Sequence, residues 1–139
     1  MPIDCFLDTN ILVYAAAARE DEPRKASIAR DLIATKLFGV SAQTLSEFYV
    51  AVAREIAKPL SLAEIDAWIE RLASFPFTVV DANIVRAGIF LARRYGIRYY
   101  DAALLAAADR LGAAIFFSED LNHNQFYGSV RVVNPFLET

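Results

Sequence analysis

Short runs of apolar residues alternate along the chain with longer segments in which apolar residues recur at helical spacing. The short runs have the length of buried β-strands and cover residues 3–7, 38–40, 77–80, 114–117 and 130–133. The helical segments cover residues 10–18, 24–36, 42–58, 62–73, 83–95 and 101–111. This alternation predicts an α/β fold, a three-layer α/β/α sandwich with a central, mostly parallel sheet of about five strands.

Local signals mark where several of these helices begin and end. Pro59 favours termination of the third helix, because proline has no N–H to donate and clashes with the preceding turn. Ser61 and Glu64 have the spacing of a capping box, in which each side chain accepts from the other residue's backbone N–H. Gly96 and Gly112 each follow a helical segment, where a left-handed residue is favoured. The signals agree with the helices predicted from periodicity.

The length and composition fit one domain that occupies residues 1–139. The single cysteine, Cys5, lies in an apolar run without a disulfide partner, which excludes a disulfide-rich scaffold and favours a reducing compartment. The first residues lack the basic region of a signal peptide. Charged residues interrupt every apolar stretch before it reaches the ~20 residues of a membrane span. We therefore expect a cytoplasmic protein that does not associate with a membrane.

Four carboxylates occupy positions from which a parallel sheet presents functional groups. Asp8 comes directly after the first strand, and Asp120 lies three residues past the fourth. Asp101 opens a helix, and Glu47 lies early in the helix that follows the second strand. Because ligands of open α/β sheets bind beyond the carboxyl ends of the strands, all four side chains can reach one edge.

Each of these acids also has a purely structural interpretation. Asp8 can cap the helix that follows it, and Asp101 suits a helix start, where the helix dipole favours a carboxylate. Asp120 lies in a sequence typical of turns. Glu47 stands in a helix that is apolar on nearly every face, where a carboxylate is costly unless a cation or metal pairs with it, and a salt bridge to a distant base is its structural alternative.

Several carboxylates at one edge would repel one another unless a positive charge lay among them. Mg²⁺ and Mn²⁺ prefer oxygen ligands and suit such a site. Zinc does not, because the chain has one histidine, His123, which reads as a polar loop residue, and one cysteine. The sequence has no glycine-rich phosphate loop and no dinucleotide fingerprint. A phosphoryl-aspartate site would need an aspartate two residues after Asp8, where Asn10 stands.

At these residues the chain resembles the PIN domain family of metal-dependent nucleases, and within it the toxins of VapBC toxin–antitoxin pairs. Four motifs carry the resemblance: Phe-Leu-Asp-Thr-Asn at 6–10, Ser-Glu at 46–47, Tyr-Tyr-Asp-Ala-Ala-Leu-Leu-Ala-Ala-Ala at 99–108 and Phe-Ser-Glu-Asp-Leu at 117–121. Residues 127–128 and 134–136 resemble the family's C-terminal ending. The motifs occur in family order, and together they span nearly the whole chain.

The resemblance implies a metal-dependent endoribonuclease. It implies that one or two Mg²⁺ or Mn²⁺ ions are bound by the four acids of the motifs, which are Asp8, Glu47, Asp101 and Asp120. It also implies supporting polar residues around them, which are Thr9, Asn10, Ser118 and, as an auxiliary ligand, Glu119. The division of roles between Glu119 and Asp120 stays open.

The resemblance further implies an RNA substrate, a homodimer and a small cognate antitoxin protein. Arg86, Arg93, Arg94 and Arg98 are candidate RNA contacts, although the same residues also suit a solvated outer helix face. One alternative function is a catalytically silent PIN scaffold that binds a protein or RNA. Another is a metal-dependent phosphatase acting on small phosphate esters.

The charge balance qualifies the case for RNA. The formal net charge is −3, from 17 acidic and 14 basic side chains, and a net negative charge at first argues against a nucleic-acid partner. If four acids belong to a metal site, the other 13 acids face 14 bases and the remainder carries +1. The acidity is then concentrated at one site, and the rest of the surface is compatible with RNA.

Overall fold

A computed structural model describes residues 3–17 and 21–138 of the protein. The strands are β1 (Cys5–Leu7), β2 (Phe38–Ser41), β3 (Phe77–Thr78), β4 (Ile115–Phe117), β5 (Phe126–Tyr127) and β6 (Val130–Val133). The helices are α1 (Thr9–Ala17), α2 (Pro23–Thr35), α3 (Ala42–Val50), α4 (Leu62–Ala73), α5 (Ala82–Tyr95) and α6 (Tyr99–Arg110), and a π-helical segment, Ala51–Glu55, continues α3.

The strands form one sheet in the order β3-β2-β1-β4-β6-β5. All neighbouring strands are parallel except β5 and β6, which form an antiparallel pair. The predicted α/β fold with a mostly parallel sheet is therefore confirmed. The strand order reverses at β1, whose two neighbours are β2 and β4. A reversal of this kind opens a crevice at the carboxyl ends of the adjoining strands.

Side chains of the central strands alternate between two cores, one on each face of the sheet. Cys5 and Leu7 of β1 join a core built with α1, α2, α3 and α4. Phe6, between them, enters the core formed with α6 and stacks on Phe116 of β4 with ring centroids 5.6 Å apart. The period of two along a strand thus places helices on both faces, which gives the three predicted layers.

Capping explains several helix boundaries. The capping box of Ser61 and Glu64 is present at the start of α4, with both side-chain-to-backbone hydrogen bonds formed. Gly96 closes α5 in the left-handed region at φ 64°, which glycine adopts without a steric cost. Both features agree with the sequence prediction.

The strands differ from the prediction in number and in bounds, and β1 begins at Cys5 rather than at residue 3. A sixth strand, β5, pairs with β6, whereas about five strands were expected. It has only two residues between polar and turn-forming neighbours, so it has no apolar run to reveal it. The strand expected over 77–80 ends at Thr78, and Val79 and Val80 are exposed.

The predicted third helix, 42–58, also differs. Regular α-helix ends at Val50, and the chain continues as the π-helical segment to Glu55. After a bend at residues 56–58, the Leu60 N–H donates to the Val52 carbonyl at 3.0 Å, so a returning chain takes the place of a continued helix. The predicted end of the first helix, Ala18, lies outside the described residues. Within the described residues, no helix combines the length and apolar character needed to cross a bilayer.

Candidate active site

An open cleft of about 860 Å³ lies beyond the carboxyl ends of β1 and β4. Its walls carry the four acids of the sequence prediction, which are Asp8, Glu47, Asp101 and Asp120. They come from the end of β1, from α3, from the first turn of α6 and from the loop after β4. The fold thus brings together carboxylates that are far apart in the sequence.

Asp8 is the most buried of these acids, with 5% of its surface exposed. The β1–β4 pairing continues through it, since its N–H donates to the Phe117 carbonyl at 3.0 Å. The Ser118 hydroxyl donates to Oδ2 of Asp8 at 2.7 Å. Burial is the main cause that raises the pKa of Asp8 from its usual 3.8 to about 7, and the charges of Asp120 and Asp101 act in the same direction, against the Ser118 hydrogen bond. The cleft therefore disfavours negative charge at Asp8 until a cation offsets it.

Asp120 is linked to Asp8 through Ser118. Its backbone N–H donates to the Ser118 hydroxyl oxygen at 3.1 Å, and the Asn10 amide donates to Oδ2 of Asp120 at 3.0 Å. Burial raises the pKa of Asp120, and the charges of Asp101 and Glu119 add to that effect. Ser118 and Asn10 thus link the side chain of Asp8, the backbone of Asp120 and the carboxylate of Asp120.

Glu47 is held by neutral donors from two helices. The Thr9 hydroxyl donates to Oε1 at 2.8 Å, and the Gln43 amide donates to Oε2 at 2.9 Å. The same Gln43 amide donates to the Tyr100 carbonyl at 2.8 Å, which ties α3 to the start of α6. Both oxygens of Glu47 are therefore fixed without cancelling its charge.

Asp101 is paired with Arg98 across the first turn of α6. Arg98 Nη2 lies 3.3 Å from Asp101 Oδ1. The helix begins at Tyr99, two residues before the predicted start at Asp101, so Asp101 lies within its first turn. The hydrogen bond and charge of Asp101 raise the pKa of Arg98, with smaller contributions from Glu47 and Asp8. The Arg98 side chain is 70% exposed, so its guanidinium lies at the mouth of the cleft with its outer side open to solvent.

Glu119 points away from its neighbour Asp120 and does not line the cleft. Its carboxylate accepts from the Tyr14 hydroxyl of α1 and from the Lys25 ammonium of α2, the latter at 2.7 Å. The three other candidate RNA contacts lie on α5 and are absent from the cleft lining; they are Arg86, Arg93 and Arg94.

The oxygen donors of the cleft fit a hydrated magnesium or manganese ion. Within the described residues, no three acidic, histidine or cysteine side chains are close enough together to ligate one ion directly. Mg²⁺ is usually held by one or two carboxylates and keeps several waters, so donors on separate walls suit it. Burial raises the pKa values of Asp8 and Asp120, and the charges of neighbouring acids raise them further, so a cation among these groups would favour their ionised forms. These residues could hold an Mg²⁺ or Mn²⁺ ion between them.

Comparison with known proteins identifies the family. The family model described as "PIN domain" matches residues 5–128. The chain belongs to the PIN domain family. The match includes all four acids of the cleft, so the candidate active site of this PIN domain lies within the region that the family model matches. The search of curated proteins found no significant match.

Solved structures share the fold of this PIN domain. A toxin–antitoxin complex from Klebsiella pneumoniae is 20% identical, with a TM-score of 0.70 over 96% of this chain and 98% of that one. VapC20 of Mycobacterium tuberculosis, described as a sarcin–ricin loop cleaving toxin, is 20% identical, with a TM-score of 0.66 over 84% and 92%. VapBC2 of Rickettsia felis, bound to a promoter DNA fragment, is 16% identical, with a TM-score of 0.56 over 92% and 96%. The structural neighbours thus include VapC toxins of VapBC pairs.

Among the residues at or beside the PIN domain's cleft that were not predicted from the sequence are Gln43, Glu55 and Tyr100. Gln43 has a recognisable signal, because it lies one helical turn before Glu47 on α3. Glu55 lines the cleft from the π-helical segment, a departure that helical periodicity does not reveal. Tyr100 exposes 56% of its surface at the cleft beside Asp101, and its ring packs edge-on against Tyr99.

Proposed function

We propose that this PIN domain is a metal-dependent endoribonuclease and the toxin of a toxin–antitoxin pair. The observation that carries the proposal is the convergence of four carboxylates on one cleft, with the pKa of the most buried one, Asp8, raised to about 7. The family match and the VapC-like fold support a nuclease toxin. The charge and oxygen chemistry of the cleft support the metal requirement.

The acids have distinct places in this proposal. Asp8, the buried one, and the backbone of Asp120 both bond to the Ser118 hydroxyl, while Glu47 and Asp101 approach from α3 and α6. A bound Mg²⁺ or Mn²⁺ ion would lower the pKa of the attacking water and offset negative charge that develops on the phosphate. The protein's own part is to hold the carboxylates in place through neutral hydrogen-bond donors.

The RNA strand would enter along the open side of the cleft. Arg98 offers a guanidinium there for a phosphate, and Tyr100 offers an exposed ring on which a base can stack. The same residue pair borders Asp101, so a strand held by both would have a phosphodiester beside the acids. Single-stranded RNA suits this arrangement, since its unstacked bases are free to contact an aromatic side chain.

Metal removal is expected to abolish RNA cleavage. A labelled RNA incubated with the protein and Mn²⁺ or Mg²⁺ should yield internal cuts, and EDTA should stop the reaction until excess metal is returned. Fragment sizes on a denaturing gel are the measurement. Cleavage that continues in EDTA contradicts the metal requirement. Binding of RNA without any cut indicates the silent scaffold, and turnover of small phosphate esters without RNA cleavage indicates the phosphatase.

Replacing Arg98 with glutamine is expected to weaken RNA binding more than the same change on α5. Loss of one phosphate contact should reduce the slope of log affinity against log salt concentration by about 0.7 for a single strand. Fluorescence anisotropy in EDTA measures binding without cleavage. Arg86→Gln and Arg93→Gln are the matched controls, because both remove an exposed arginine outside the cleft lining. Larger losses for the α5 variants than for Arg98→Gln would place the RNA on α5 instead.

The partners and setting belong to the same proposal. Structures with this fold include a toxin–antitoxin complex and VapBC2 bound to promoter DNA, which supports a cognate antitoxin for this chain. We also propose a homodimer, a cytoplasmic location where RNA is accessible, and a single catalytic domain over residues 1–139. Co-expression with the product of an adjacent short reading frame, followed by size-exclusion chromatography with light scattering, tests both the antitoxin and the dimer.

A further inference from the structure

Glu119 is held by two donors on the side of the loop opposite the cleft. Oε2 accepts from the Lys25 ammonium at 2.7 Å, and Oε1 accepts from the Tyr14 hydroxyl. The side chains of Lys25 and Glu119 are only 27% and 19% exposed, so water screens this ion pair less than one on an open surface. Both carboxylate oxygens of Glu119 are therefore already engaged by the protein.

Aromatic rings surround the Lys25 ammonium and hold it in place. Its Nζ lies 5.2 Å from the ring centroid of Tyr14 and 5.4 Å from that of Phe136, distances at which the ring faces attract a cation. The two rings pack edge-on, with centroids 5.3 Å apart. We call Tyr14, Lys25, Glu119 and Phe136 the clamp. It joins α1, α2, the loop after β4 and the C-terminal segment.

The clamp and the cleft are connected through three successive residues. Ser118 donates to Asp8, Glu119 is part of the clamp, and Asp120 lines the cleft. Glu119 is joined directly to Ser118 and Asp120, so a shift of Glu119 would move both of these neighbours. The orientation of Asp8 and Asp120 therefore depends on where Glu119 is anchored.

We propose that Glu119 is a positioning residue rather than a metal ligand, and that the clamp sets the divalent-ion affinity of the cleft by holding the loop 118–120. This inference rests on the proposed function, because it concerns the same metal site. Residues that hold metal ligands in place without touching the ion commonly affect metal affinity strongly. The clamp holds the loop that carries Asp120 and the Ser118 donor to Asp8, while no clamp residue lines the cleft itself.

The sign of the effect of Lys25→Met on metal affinity distinguishes the two roles. Removing a cation near an acidic cleft would by electrostatics alone tighten Mn²⁺ binding, and it would also free Glu119 to act as a ligand. If the clamp positions the loop, Lys25→Met instead weakens Mn²⁺ binding, by about tenfold. Isothermal titration calorimetry, or the EPR signal of free Mn²⁺, measures the affinity without RNA or turnover.

Three further variants test the clamp as a unit. Tyr14→Phe, which removes only the hydroxyl, should also weaken Mn²⁺ binding, and Lys25→Arg, which keeps the charge, should restore most of the affinity. The double variant Lys25→Met/Glu119→Gln should bind no more weakly than the worse single variant, because both changes release the same loop. If the losses of Mn²⁺ affinity in the two single variants add up in the double variant, then Lys25 and Glu119 do not act together through the clamp.

The Arg110–Asp81 pair provides a matched control for general destabilisation. It joins the end of α6 to the start of α5 with an N–O distance of 2.9 Å, and neither residue lines the cleft. Arg110→Met should lower the thermal unfolding midpoint as Lys25→Met does, yet leave Mn²⁺ affinity unchanged. Equal losses of affinity in both variants would overturn the specific role of the clamp.

The outcomes separate this inference from the proposed function. An unsubstituted protein that binds Mn²⁺ and cuts RNA, together with unchanged or tighter Mn²⁺ binding by Lys25→Met, overturns the positioning role and leaves the nuclease standing. An unsubstituted protein that binds no Mn²⁺ overturns both.

Discussion

Replacing Asp8 with asparagine is expected to abolish metal-dependent RNA cleavage while the fold is retained. Asn keeps the size of the side chain and can still accept from Ser118, which now donates to Asp8 at 2.7 Å. It cannot supply a negative oxygen to a cation. Because a catalytic metal contributes several kcal/mol to the transition state, the loss should be roughly 10³-fold in kcat/KM. Initial rates on labelled RNA with Mn²⁺ give the ratio.

Asp4→Asn is the matched control for this variant. Asp4 immediately precedes β1, at the opposite end of the strand from Asp8, and its carboxylate accepts from the Leu37 N–H at 2.8 Å, a bond that asparagine can also form. The control should cleave RNA at the unsubstituted rate. Circular dichroism spectra of both variants check the fold. Full activity of Asp8→Asn would refute the active-site assignment.

The same substitution at Asp8 is expected to stabilise the metal-free protein at about pH 8. The pKa of Asp8 is raised to about 7 in the folded state, chiefly by burial, so the charged form is disfavoured there. The difference between the folded and unfolded pKa of Asp8 limits the gain in the free energy of unfolding to about 4 kcal/mol, since a pKa difference of one corresponds to about 1.4 kcal/mol. Part of that gain is offset because asparagine accepts a weaker hydrogen bond from Ser118 than a carboxylate does. We therefore expect a gain of roughly 1–3 kcal/mol in the free energy of unfolding.

The pH dependence of stability follows with a definite sign. Well below pH 4 Asp8 is protonated in both the folded and the unfolded chain, so its burial carries no charge penalty, and near pH 4 that penalty is still small. Between about pH 4 and pH 7 the folded protein retains a proton that the unfolded chain releases, and the free energy of unfolding falls as pH rises. Asp120, whose pKa is raised too, contributes in the same direction.

Urea denaturation in EDTA at about pH 4 and about pH 8 measures this effect. Asp8→Asn should gain stability relative to the unsubstituted protein at the higher pH and show little difference at the lower one. Asp4→Asn, whose side chain lies away from the cleft, should not show this pattern. If Asp8→Asn is less stable than the unsubstituted protein at about pH 8, then burial and neighbouring charges do not disfavour the ionised form of Asp8.

Much of the architecture could be inferred from local patterns. The alternation of short apolar runs with helical segments indicates a parallel sheet with helices on both faces, because strand and helix periods are properties of a few adjacent residues. The Ser61–Glu64 capping box and Gly96 were recognisable for the same reason. The π-helical segment and β5 were not, because the first depends on the returning chain at Leu60 and the second on pairing with β6.

The candidate site could be approached from the sequence because its acids lie at strand ends. Parallel strands direct their carboxyl ends to one edge, so Asp8 and Asp120 are brought near each other by the topology. Glu47 and Asp101, which begin or follow elements at the same edge, can reach the same point, and the resemblance of the motifs to PIN domains adds the nuclease function. Neither argument gives the environment of each carboxylate, on which its pKa and charge depend.

The roles of individual residues at the site depend on contacts between distant parts of the chain. Glu119 and Asp120 are adjacent in a turn and equally acidic, yet one contacts Lys25 on α2 and the other faces the cleft. The direction of each side chain follows from the packing of α1 and α2 against the loop after β4. Likewise, four arginines are candidates by their positions in the sequence, and the packing of α6 against the sheet brings Arg98 to the cleft. Periodicity and motif order therefore indicate which elements and acids the protein has, while long-range packing decides which side chains meet.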